Sequence, residues 1–235
     1  MTPTSVGMRC PECAKQTTKV RTIRDVHADP RVTFALIVAN VIAFLGTSAG
    51  PELELRGVLN GFPVADGEVW RLVTGGFLHA GIIHILFNMY LLYVLGQQLE
   101  ATLGNARFAA LYAIGLLGGA LGVMVLDPLQ STVGASGAVF GLMGAMAVML
   151  RERGVNVFQT DIGFLILMNL GITFILPGIS IGGHLGGLAG GAVGALVLQR
   201  LDRMRAPRWS GVAALGGLSL AFGVGAYLLA VAAVG

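Results

Sequence analysis

Four polar side chains stand in a chain that otherwise reads as hydrocarbon. They are Ser136 in GASGAVFG (134–141), His184 in GGHLGGLAGG (182–191), and His84 with Asn88 in HILFN (84–88). A serine hydroxyl within reach of an imidazole can act as a nucleophile whose proton the imidazole takes as general base. His84 and Asn88, four apart on a helix, project a ring N–H and a carboxamide N–H from one face, as donors to a developing oxyanion must be. Each residue also has a structural reading. A serine among glycines can belong to a small-residue face that lets helices touch, and a single His or Asn in a span can bond to a neighbouring helix. Inside a membrane such groups are costly enough that function is the default hypothesis.

The elements that would carry these residues follow from composition. A chain of 235 residues that is 55% hydrophobic and 11% charged cannot make an ordinary soluble surface. Seven apolar runs approach or exceed the span of about 17 to 25 residues that a bilayer requires. They cover 32–47, 81–99, 107–126, 134–150, 160–177, 180–199 and 211–234, which predicts an all-α, polytopic membrane protein. The first thirty residues are polar and contain no apolar stretch of the kind a signal peptide needs. Of the 15 Lys and Arg residues, all but Arg56 and Arg71 fall in segments on the N-terminal side of the membrane if the spans alternate. That excess predicts a cytoplasmic N-terminus and an external C-terminus. The same distribution accounts for the net charge of +3 by membrane orientation and leaves no case for a nucleic-acid partner.

Glycine is concentrated in the fourth and sixth spans, at 134, 137, 141 and 144 and at 182, 183, 186, 187, 190, 191 and 194. Small residues four apart let helix backbones approach closely in lipid, which predicts that these two spans pack against one another. Both run inward from outside, with Ser136 and His184 a few residues below their outer ends. At about 1.5 Å per residue both lie roughly 3 to 6 Å below the helix starts, at one level. His84 and Asn88 enter from outside on the second span. Four such residues converging on the outer third of three spans is the strongest argument for a site.

The chain divides into a polar cytoplasmic arm (1–31), a membrane domain (32–199), and a basic loop with a seventh span (200–235). The connection 48–80 is too apolar to be freely solvated and is expected to lie in the interface, with Trp70 and Arg71 as an anchoring pair. Asp161 belongs to the inner end of the fifth span and Asp127 to a turn before Pro128, so His184 has no evident acidic partner and a Ser–His dyad is expected. His79 reads as a structural hydrogen-bonding residue near the rim.

These motifs resemble those of the rhomboid family of intramembrane serine proteases. GASGAVFG is similar to the family's serine motif, GGHLGGLAGG to its histidine motif, and WRLVTGGFLHAGIIHILFNMYLLYVLGQQLE (70–100) to its external-loop and second-span signature. The likeness covers about 32–199, and the extra span resembles the six-plus-one arrangement of part of the family. It implies a rhomboid-like bundle of six core helices plus a C-terminal seventh in a bacterial plasma membrane. It implies Ser136 as nucleophile, His184 as base, and His84 and Asn88 as oxyanion donors beside the Ser136 backbone N–H. The partners implied are transmembrane protein substrates, cut near the outer end of a span, and the lipid bilayer. No cofactor is required. Glu100 and the Trp70–Arg71 pair match positions used structurally and are given no chemistry. The alternative is a non-catalytic relative that binds membrane helices. A transporter is disfavoured by the lack of paired inverted repeats and midplane charges.

Cys10 and Cys13 form an isolated C-x-x-C, the only cysteines present. In a cytosolic arm a half-site for zinc is a sharper reading than a disulfide, although only His27 stands nearby as a further ligand. The arm resembles the tail of the Cys/His-rich zinc module that precedes some bacterial rhomboids, which would make Met1 an internal methionine of a longer product.

Overall fold

The computed structural model describes residues 2–4, 7–9 and 30–235. Cys10, Cys13 and His27 lie outside the described residues. Strands β1 (Thr2–Thr4) and β2 (Gly7–Arg9) pair antiparallel ahead of the helices. The rest is helical: α1 (Arg31–Ala49), the short α2 (Pro51–Gly57), α3 (Gly61–Ala65) and α4 (Arg71–Thr74), then α5 (Ile82–Leu103), α6 (Asn105–Leu126), α7 (Ser136–Glu152), α8 (Asp161–Ile175), α9 (Ile181–Arg203) and α10 (Arg208–Val234). The seven long helices correspond one to one with the seven apolar runs, giving an all-α polytopic bundle.

Among the described residues, α1, α5, α6, α9 and α10 are long and apolar enough to cross a membrane by themselves. Of the other two, α7 keeps the 17 residues of its apolar run but starts two residues later, and α8 is shorter than its run, each for a local reason. Gly134 has φ of +132°, a conformation no helix continues, so α7 starts only at Ser136. Helix α8 begins where the Thr160 hydroxyl caps the Gly163 N–H and ends two residues before Pro177. Its 15 residues rise about 22 Å, against a hydrocarbon core of about 30 Å.

Three helices form the centre of the bundle, and glycine sets their spacing. A Cβ on Gly182, Gly186 or Gly190 of α9 would run into the backbone of Gly122, Gly118 or Ile114 of α6, an antiparallel register with a period of four. On its other face Gly187 and Gly191 meet the carbonyls of Gly137 and Gly141, so α9 runs parallel to α7. Gly115 and Gly119 of α6 close the triangle against Gly141 and Gly137. The expected α7–α9 contact is present. Helix α6 supplies the third side, which its own four-residue glycine spacing could have announced.

Around this centre the seams are made by side chains. Glu100 is fully buried and its carboxylate accepts from the Val32 and Thr33 N–H groups and the Thr33 hydroxyl, all at 2.7–2.8 Å. It thereby satisfies orphan donors at the positive N-terminus of α1. At the end where α9 passes into α10, buried Arg107 holds both Asp202 oxygens at 2.9 and 3.0 Å, and Arg208 donates to the Leu103 carbonyl.

The connection between α1 and α5 folds into a compact cap over the opposite end. Arg71 was expected to reach a headgroup; it is instead buried, pairing with Glu68 and donating to the Leu55 and Val58 carbonyls at 2.7 and 3.0 Å. A guanidinium's fixed fork suits it to gather several carbonyls of one loop, which a lone interfacial charge would leave unbonded. Trp70 is the exposed member of the pair. The cap is tied to the segment before α7 by the Leu59–Thr132 bridge and by Gly134 N–H donating to Gly75.

Candidate active site

Helices α7 and α9 start at the same end of the bundle and run in parallel, so Ser136, the first residue of α7, and His184, the fourth of α9, lie at one level. Helix α5 starts there too and brings His84 and Asn88. All four line one cavity of about 650 Å³, whose walls are otherwise largely apolar and include Phe87 and Leu176.

The geometry around Ser136 depends on Gly134. A Cβ at that position would sit 2.8 Å from the Nε2 and Cε1 of His84 and 3.5 Å from the Ser136 hydroxyl oxygen. Glycine therefore serves twice: it adopts the positive φ, and it leaves room for the His84 ring edge on the side of Gly134 that Ser136 also faces. His84 Nδ1 accepts the Ala80 backbone N–H at 3.4 Å, which places the ring hydrogen on Nε2, the atom facing Gly134. His79 is buried and packs edge-on against His84, ring centroids 5.1 Å apart. Its ring interacts with the Phe77 backbone, the structural role expected of it, and its edge-on packing supports His84.

Asn88 is buried and donates one amide hydrogen to the His84 carbonyl at 3.0 Å. A carboxamide carries two hydrogens, so the second remains for a group in the cavity. His184 is buried, stacked on Phe140 with centroids 4.1 Å apart and 18° between planes. Its ring bond is to the Thr173 hydroxyl, with 2.6 Å between Nδ1 and Oγ1. Among the described residues no hydrogen bond of 3.5 Å or less joins Ser136 to His184, and no carboxylate bonds to His184. Phe140 and Thr173 were not singled out from sequence. Phe140 stands one helical turn after Ser136 and carried a signal; Thr173, the one threonine within α8, carried none.

No group of three or more His, Cys, Asp or Glu side chains suited to a metal occurs among the described residues. What the cavity offers is a hydroxyl at a helix N-terminus, an imidazole fixed by stacking and by one bond, and N–H donors from His84 and Asn88. Chemically, that is a set suited to acyl transfer.

Comparison with known proteins agrees in extent with this core. The Rhomboid domain profile matches residues 66–201. The chain is 34% identical over 181 residues to Rhomboid protease GluP of Bacillus subtilis (strain 168), covering 73% of this chain and 36% of GluP. It is 37% identical over 186 residues to Putative rhomboid protease YdcA of the same organism, covering 74% of this chain and 92% of YdcA. A plant relative, RHOMBOID-like protein 5 of Arabidopsis thaliana, is 38% identical over 179 residues, which is 56% of its length. The chain thus spans little more than a third of one named protease and nearly all of another. With the helical bundle and its motifs in register, this chain belongs to the rhomboid family of multi-pass membrane proteins.

Proposed function

We propose that this protein is an intramembrane serine endopeptidase in which Ser136 attacks the scissile carbonyl and His184 takes its proton. The observation that carries the reading is the single cavity shared by Ser136, His184, His84 and Asn88. His84 Nε2–H and the second Asn88 amide hydrogen, with the Ser136 backbone N–H, would receive the oxyanion of the tetrahedral intermediate. Ser136 at the first position of α7 adds the positive end of the helix dipole. His184 then returns its proton to the leaving amine, and water repeats the sequence on the acyl-enzyme.

The basic residues favour an orientation with the N-terminus cytoplasmic and the cavity opening outward. The substrate is a transmembrane helix of another protein, and its carbonyls must leave the helix to be attacked. Residues that weaken a helix near the cleaved bond should help. The names of the bacterial relatives support protease activity.

The test is cleavage of a single-span substrate in liposomes by the wild type, Ser136→Ala and His184→Ala. Loss of at least about a thousandfold in both folded variants is expected. Equal cleavage by the variants would remove the dyad. An inert wild type that still retains the substrate would favour the helix-binding, non-catalytic reading.

A further inference from the structure

The partner of His184 determines which of its nitrogens can act. Thr173, in the last turn of α8, is buried, and its hydroxyl oxygen lies 2.7 Å from the Asn169 carbonyl one turn back and 2.6 Å from His184 Nδ1. Two oxygens approach to that distance only with a hydrogen between them, and a carbonyl has none, so Thr173 donates to Asn169. A hydroxyl has one hydrogen. The lone pairs of Thr173 are what face His184, and the hydrogen of the second bond must come from Nδ1. A neutral imidazole protonated on Nδ1 carries its free lone pair on Nε2.

We propose that Thr173 is a positioning residue that holds His184 in the Nδ1–H tautomer and so leaves Nε2 as the base for Ser136. The assignment rests on the dyad reading given above. It explains how His184 functions without an acidic partner: a threonine anchored to its own helix backbone supplies the orientation a carboxylate would give, without an ionised group at membrane depth. The relay ends at a backbone carbonyl, which cannot change its protonation, so the tautomer is set by the fold of α8. Losing the orienting group of a catalytic histidine disables it chiefly by admitting the wrong tautomer.

The experiment uses the full chain labelled with ¹⁵N-histidine, at alkaline pH where imidazoles are neutral. The ring signals of His184 are assigned among the four histidines by their loss in His184→Gln. Wild type, Thr173→Ser and the isosteric Thr173→Val are compared for the position of the ring hydrogen and for kcat and KM. Hydrogen on Nδ1 in wild type and Thr173→Ser is expected, with a shift toward Nε2–H in Thr173→Val. The valine variant should lose about 10- to 100-fold in kcat with KM changed less than about twofold, and serine should retain most activity. Hydrogen on Nε2 in the wild type overturns the proposal. So does a valine variant whose ring signals match wild type, whatever its kcat. Should the nitrogen signatures follow the hydroxyl as expected while even the wild type cleaves nothing, the tautomer assignment stands and the protease reading fails.

Discussion

Helices α9 and α10 follow one another in the chain, both are long enough to span, and both contain several glycines, yet glycine does different things in each. In α9 the glycines fall four apart on two faces, and a Cβ on five of the seven would meet the backbone of α6 or α7. In α10, Gly216 and Gly217 face open space, and Gly223 only touches the side chain of Leu117. Helix α10 instead lies on the bundle through a stripe of Leu215, Ser219, Ala226 and Ala230. Glycine content alone is therefore uninformative about packing. A period of four facing a matching period on another helix is what marks a backbone seam, because in lipid the close approach itself is the source of attraction. The seam also has a functional consequence: with α7 and α9 held in register, Ser136 and His184 are placed at one level by backbone contact.

The sharpest way to break this comparison is Gly191→Val, whose Cβ has only the Gly141 carbonyl to occupy. A loss of about 3 kcal/mol or more is expected, read as a fall in thermal stability in detergent, with cleavage lost alongside. A variant that folds and cleaves normally would show that the seam can open without consequence. Asp202→Ala is a milder probe of how α10 is rooted. It leaves the buried Arg107 guanidinium without its carboxylate and should cost about 1 to 3 kcal/mol in the same assay. Gly216→Ala should change stability by less than about 1 kcal/mol, in the favourable direction, since alanine is the better helix former and nothing stands within 4 Å of its Cβ. Destabilisation there would mean that α10 has a neighbour on that face.

The same contrast shows what the sequence could tell. The number and order of the long helices, the α7–α9 contact and the positions of Ser136 and His184 were legible because each rests on spacing: apolar length, glycine period, and depth counted from a helix start. Gly115, Gly118, Gly119 and Gly122 of α6 carried the same period and needed only the same reading. Arg71 misled because a Trp–Arg pair at a span's edge resembles an interfacial anchor, and only the folded cap reveals the Leu55 and Val58 carbonyls that claim it. Thr173 was beyond reach in another way. Its importance lies in which atom of His184 it touches, and that depends on the rotation of α8 against α9, which no local pattern encodes.

The central claim is that Ser136 is a nucleophile activated by His184. The most direct measurement is covalent trapping of the folded protein in membranes with a serine-reactive fluorophosphonate, followed by mass spectrometry of the labelled peptide and repeated with His184→Ala. The account predicts a single adduct on Ser136 that forms in wild type and is lost in the His184 variant. An adduct on another residue, or labelling of Ser136 that proceeds equally well without His184, would contradict it.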